Sequence, residues 1–111
     1  MVGVKMVGVK ELKRKLAGDA QMKAAKRIMQ KNGAELQAGA QRNAPVDTGN
    51  LKRSIGLEIR DDGLTAEVEA TADYAPYVEW GTRFMKAQPF VRPAFNTQKE
   101  KFKQDMDRLV R

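Results

Sequence analysis

Apolar residues recur every three or four positions over residues 19–43, and this spacing predicts an amphipathic helix with one narrow buried face. Gly33 and Gly39 interrupt it, at a cost of up to about 1 kcal/mol each relative to alanine. We therefore expect another element to pack closely against both glycines. Pro45 ends the helix, because the residue before a proline is pushed out of the α region. The apolar positions are Met22, Ala25, Ile28, Met29, Leu36 and Ala40.

Apolar and polar residues alternate in two later segments, which is typical of half-buried strands. The turn residues Asp61-Asp62-Gly63 separate the two segments, and Gly63 can adopt a positive φ. We predict a β-hairpin over residues 54–70. The alternating residues are Ile55, Leu57 and Ile59, followed by Leu64, Ala66, Val68 and Ala70.

Shorter patterns complete the chain. Residues 10–17 predict a short helix ended by Gly18, and residues 51–54 predict one helical turn. A final helix follows residues 89–93, with Pro93 near its first turn and an apolar stripe of Phe95, Phe102, Met106 and Leu109. The order of helix, hairpin, aromatic segment and helix predicts an α+β fold. In it, a small antiparallel sheet built on the β-hairpin packs against a long N-terminal helix and a C-terminal helix.

The first ten residues are a direct repeat, with Met1–Lys5 identical to Met6–Lys10. Ten residues are too few for a solenoid. We expect residues 1–10 to be either a frayed leader (a second start or a cloning remnant) or an arm that orders only against a neighbouring subunit. Residues 11–111 then form a single domain, as the total of 111 residues allows.

The composition excludes several classes of chemistry. The chain has no cysteine and no histidine, which excludes disulfides, thiol nucleophiles, Cys/His zinc sites and imidazole proton relays. No apolar run approaches the about 18–20 residues that span a bilayer, and no signal peptide is evident. We expect no cofactor, no metal, no membrane contact and no small-molecule substrate.

The net charge of +7 is unevenly distributed. Residues 1–60 hold 13 basic and 5 acidic side chains, residues 61–95 hold 3 and 6, and residues 96–111 hold 5 and 3. Surfaces of opposite sign favour pairing with other copies of the chain or with an acidic neighbour, and a basic DNA-binding module is the alternative. The basic stripe is Lys10, Lys13, Arg14, Lys15, Lys23, Lys26, Arg27 and Lys31.

A turn motif of Pro45, Asp47, Thr48 and Gly49 contains the Asp-Thr-Gly triplet of aspartic proteases. Half of a homodimeric protease is a further, weaker alternative, since two such aspartates could share one proton. The triplet here follows a helix rather than an apolar strand, and Asn50 stands where a small residue is usual. We predict instead a turn in which Asp47 accepts backbone hydrogen bonds and Gly49 supplies an unusual backbone conformation.

Aromatic residues are concentrated between residues 74 and 90. We expect Glu79 to be a buried carboxylate that accepts backbone hydrogen bonds at a turn, and residues 81–88 to form an exposed loop. Aromatic side chains in this setting stack bases less often than they build a core or an interface. The predicted interface residues are Tyr77, Trp80, Phe84, Met85, Phe90 and Arg92.

Three blocks in this order, residues 44–55 (APVDTGNLKRSI), 74–82 (YAPYVEWGT) and 89–95 (PFVRPAF), resemble one family. It comprises the neck, head-tail joining or tail-completion proteins of long-tailed, Hong Kong 97-type bacteriophages, the gene-product-ten family. The resemblance covers residues 10–111 and implies a non-enzymatic virion protein at the head-tail junction, assembled in the host cytoplasm. It implies a protein that works as a ring of identical copies or in contact with rings, and that binds other neck, connector or tail proteins, with DNA contact possible but not required.

Overall fold

The computed structural model describes residues 2–7, 18–45 and 49–109. The chain has the α+β fold that the sequence predicts, whereas the short helix expected at residues 10–17 lies outside the described residues. In chain order the elements are β1 Val2–Val7, α1 Asp19–Asn43, α2 Asn50–Arg53, β2 Ile55–Arg60, β3 Thr65–Ala70, α3 Ala75–Trp80 and α4 Val91–Leu109, with a 3-10 turn at Asp61–Gly63 between β2 and β3.

The predicted hairpin forms the centre of an antiparallel sheet whose strand order is β1-β3-β2. In the β2–β3 register, Ile55 lies opposite Ala70, Leu57 opposite Val68 and Ile59 opposite Ala66. Every second residue of each strand therefore belongs to the same face of the sheet. This face is turned toward the helices and contributes to the hydrophobic core.

Strand β1 was not predicted. It pairs with β3 of the same chain, with Gly3 opposite Glu69. The expectation that residues 2–7 are frayed, or order only against a neighbour, is therefore wrong. The close pairing depends on Gly3, since a Cβ there would lie 2.7 Å from the carbonyl oxygen of Val68. The division into an arm at residues 1–10 and a domain at residues 11–111 stays a prediction.

Helix α1 crosses β2 and β3 and packs along α4. The two glycines of α1 lie at these crossings. A Cβ on Gly33 would lie 3.0 Å from the side chains of both Ala66 and Leu57, and one on Gly39 would lie 3.2 Å from the Ala94 side chain. The predicted close approach is confirmed at both positions. The buried core residues around these contacts include Met29, Leu36, Ala40, Leu51, Ile55, Val68, Phe90 and Val91.

A polar cluster is buried between α1 and α4. Asn32 donates to the carbonyl oxygen of Ile28 (2.9 Å) and to Asp105 Oδ2 (3.0 Å), while Gln98 donates to Asn32 Oδ1 and to Glu35 Oε2 (2.9 Å). Hydrogen-bonded polar groups in a core tolerate few alternative arrangements. The cluster therefore sets how the two long helices lie along each other.

Candidate protein-interaction site

Among the described residues, the exposed large hydrophobic side chains all lie between residues 74 and 85. Phe84 is 91% exposed, Trp80 61% and Tyr77 58%. Exposed large apolar side chains that are concentrated in one segment of a small domain favour an interaction site. We call this set the 74–85 surface; its members are Tyr74, Tyr77, Trp80, Phe84 and Met85.

Helix α3 divides the aromatic segment into two faces. Ala75 and Glu79, four residues apart, are buried, and Tyr77 and Trp80 face outward. Pro76 lies at the start of the helix, where its missing N–H costs nothing, and Gly81 ends it with a φ of 81°. The short helix thus presents its aromatic side chains to solvent while anchoring its other side in the core.

The loop at residues 81–88 is exposed, as predicted, and is folded back on α3. The backbone N–H of Thr82 donates to the Met85 carbonyl (2.8 Å), and that of Gln88 donates to the Val78 carbonyl (2.8 Å). The Phe84 N–H donates to Thr82 Oγ1 (3.1 Å). These bonds hold Phe84 at the tip of a tight turn.

Glu79 connects α3 to the start of α4. Its carboxylate is fully buried and accepts from the backbone N–H groups of Phe90 (3.2 Å), Val91 (2.9 Å) and Arg92 (3.3 Å). The first N–H groups of a helix have no partner within the helix, and a negative charge near them is favourable. The prediction of a buried glutamate that accepts backbone hydrogen bonds is confirmed, and the turn it serves is the first turn of α4.

Arg92 joins this buried carboxylate to the aromatic surface. Its Nε donates to Glu79 Oε2 (3.0 Å), and one terminal nitrogen donates to the Glu79 carbonyl oxygen (3.2 Å). The guanidinium lies over the Trp80 ring, 4.0 Å from the ring centroid, where a cation–π attraction holds the indole in place. The exposed Trp80 is therefore fixed before any partner arrives, which lowers the entropic cost of binding.

A substitution at Gly81 is expected to disrupt this arrangement. A Cβ there would lie 2.8 Å from the backbone nitrogen of Ala87, on a backbone whose φ of 81° disfavours side chains. We expect Gly81→Val to lower the free energy of unfolding by about 2–4 kcal/mol in urea titrations. Gly56→Val is the matched control, because a Cβ at Gly56 meets nothing within 4 Å. Equal stability of the two variants would contradict the described loop packing.

Five of the six predicted interface residues are accessible, and Phe90 is the exception. Phe90 is fully buried, so the prediction that it anchors an interface is wrong. Its N–H is bound to Glu79, and its carbonyl oxygen accepts from Asn43 Nδ2 (3.3 Å), so the residue is held inside from both sides. Tyr74, which is 41% exposed, joins the surface instead.

The predicted turn motif is only partly described. Pro45 follows the extended Ala44 at the end of α1, as expected before a proline. Gly49 adopts the left-handed conformation, with a φ of 74°, that the turn prediction requires. Asp47 and Thr48 lie outside the described residues, so the hydrogen bonding expected of Asp47 stays a prediction.

The described part of the basic stripe is partly paired with acids of the same chain. Lys26 Nζ lies 3.4 Å from Asp62, and Lys31 Nζ lies 3.9 Å from Asp105. Residues 2–7, 18–45 and 49–109 contain no group of carboxylates that could hold a metal ion. None of the helices in these ranges is long and apolar enough to cross a membrane.

Fold and surface together define a small α+β protein that displays a braced aromatic patch. The chain belongs to the HK97-gp10-like family, whose model, described as "Bacteriophage HK97-gp10, putative tail-component", matches residues 9–81. This match spans more than half of the chain and confirms the family resemblance; it covers residues 44–55 and 74–81 and ends before the block at residues 89–95. The protein is thus a structural bacteriophage component. No curated protein and no solved structure matches the chain.

Proposed function

We propose that this protein acts without enzymatic activity at the head-tail junction, as a neck or tail-completion component of the virion. In this role it forms part of a ring and joins the connector of the DNA-filled capsid to the tail. The observation that carries the proposal is the 74–85 surface, which is apolar, solvent-exposed and fixed in position by Glu79 and Arg92. Such a surface suits a permanent contact with another protein.

The ring is supported by the distribution of charge. The chain has an excess of basic residues before residue 61 and of acidic residues between 61 and 95, so its regions differ in the sign of their charge. Different surfaces that complement each other produce head-to-tail contacts, and a head-to-tail contact whose rotation closes produces a ring.

Complementation of a phage that lacks this gene tests the role. We expect such a phage to accumulate separate full heads and tails, and we expect the wild-type chain, supplied in the host, to restore joined particles that carry it at the neck. Full heads, free tails and joined particles are counted by electron microscopy of negatively stained lysates. Normal joining without the chain, or a label located far from the neck, would remove the proposal.

The same role predicts weak DNA binding. A protein that neutralised several phosphates would lose about 10³–10⁵ in affinity for duplex DNA between 50 and 200 mM salt. We expect only a shallow dependence, since Lys26 and Lys31 are already paired with Asp62 and Asp105. Fluorescence anisotropy with a labelled duplex measures the slope, and a steep one would favour the DNA-binding alternative.

A further inference from the structure

The outer face of the sheet contains a hollow above Gly56 in the edge strand β2. Leu57 and Ile59 pack against the core, so the alternating residues of β2 lie on the opposite face. On that face Gly56 lies opposite Glu69, and Glu58 lies opposite Glu67. Because Gly56 has no side chain and nothing lies within 4 Å of a Cβ built there, the strand leaves open space. The residues that line the hollow are Gly56, Leu57, Glu58, Arg60, Glu67, Glu69 and Thr71.

The hollow has an acidic wall. Three glutamates line it, against the single cation Arg60, which binds Glu58 Oε2 at 2.7 Å and lies 3.9 Å from Glu67 Oε2. Glu58 is ionised at neutral pH, as an exposed glutamate ordinarily is, and the hydrogen bond from Arg60 lowers its pKa further. A partner that fits the hollow therefore needs positive charge around the group that occupies the open space at Gly56.

The tip of the 81–88 loop has this chemistry. Phe84 is the most exposed of the large hydrophobic side chains described, and the Arg83 guanidinium lies 5.6 Å from its ring centroid. Lys86, two residues further on, is also exposed. The loop thus carries one protruding ring between two cations, on a backbone held by its own hydrogen bonds.

We propose that the loop tip of one copy of this chain inserts Phe84 into the Gly56 hollow of a second copy, with Arg83 and Lys86 against the glutamates. This deepens the proposed function, because it names the two surfaces that join neighbouring copies of the ring. The surfaces are separate on the molecule, since α3 contacts β1 and the hollow lies on β2, at the other edge of the sheet. The contact is therefore heterologous, and each copy uses both surfaces.

Two variants, each defective in one surface, test this pairing. Phe84→Ala removes the phenyl side chain that inserts. Gly56→Val fills the hollow, and it fits without strain because a Cβ there meets nothing within 4 Å and valine favours strands. We expect each variant to stay folded and to self-associate at least about tenfold more weakly than wild type in sedimentation velocity. In a mixture, the Gly56→Val chain still has Phe84 and the Phe84→Ala chain still has an open hollow. We therefore expect the two variants to form a 1:1 heterodimer and nothing larger.

A charge exchange tests the same contact independently. Lys86→Glu and Glu69→Lys are each expected to weaken self-association, and the variant carrying both changes is expected to recover it. Self-association of Gly56→Val at the wild-type level would overturn the inference, as would a mixture without heterodimer or a wild-type chain that stays monomeric throughout. Failure of head-tail joining by a chain that self-associates normally would instead remove the proposed function and leave this contact standing.

Discussion

Replacing Glu79 by alanine is expected to lower the free energy of unfolding by about 3–5 kcal/mol, because a buried backbone donor that loses its acceptor costs about 1–3 kcal/mol. The change removes the acceptor of the N–H groups of Phe90, Val91 and Arg92 and the ion-pair partner of the Arg92 side chain. A typical domain is stable by only about 5–15 kcal/mol, so the loss is a large fraction of the total. Urea titrations followed by far-UV circular dichroism measure it.

Glu79→Gln separates the charge from the hydrogen bonds. The amide oxygen can still accept from the N–H groups of Phe90 and Val91, while the amide nitrogen cannot accept from the backbone N–H or the Nε of Arg92. We expect an intermediate loss of about 1–3 kcal/mol. An alanine variant within about 0.5 kcal/mol of wild type would show that the buried carboxylate does not hold α3 and α4 together.

The second large effect is expected on association rather than on folding. Trp80 is 61% exposed, so Trp80→Ala should change the free energy of unfolding by less than about 1 kcal/mol. If Trp80 is a central anchor of the interface, the same change should weaken binding to neighbouring phage proteins by about 2 kcal/mol or more, about 30-fold. A urea titration measures the change in stability, and the recovery of joined particles in the complemented phage reports the loss of binding.

Two control variants show whether the effect of Trp80→Ala is specific to the aromatic side chain at this surface. Trp80→Phe keeps an aromatic ring beneath Arg92 and is expected to retain most joining. Lys99→Ala changes an exposed position on α4, away from the 74–85 surface, and is expected to have no effect. Wild-type joining by Trp80→Ala would place the interface elsewhere, and a large loss of stability would show that Trp80 supports the fold.

The local pattern of the chain was sufficient to predict most of the fold. The long helix was predicted at residues 19–43 and begins and ends there. Its apolar spacing and the proline that ends it are local signals, which the sequence shows directly. The hairpin was predicted for the same reason, with Gly63 at a φ of 90° in its turn. Strand β1 was missed, since its order depends on pairing with β3, more than 50 residues further along the chain.

The candidate site was predicted in its location but not in its internal arrangement. The density of aromatic residues indicated the segment, yet nothing local distinguishes the buried Phe90 from the exposed Phe84. The difference arises because Glu79 binds the backbone 11 to 13 residues later and turns Phe90 inward. The position of Glu79 among aromatic residues was enough to predict that it is buried. The hollow at Gly56 could not be predicted, because it depends on the register of β2 against β3.

Hydroxyl-radical footprinting of the free chain and of the assembled virion tests the central claim most directly. We expect Trp80, Phe84 and Met85 to be strongly modified in the free chain and protected in the particle, while the half-buried Met22 on α1 reacts to a similar extent in both. Equal modification of Trp80 and Phe84 in the two states would contradict the account, because an aromatic surface that stays open to solvent in the virion binds no protein there.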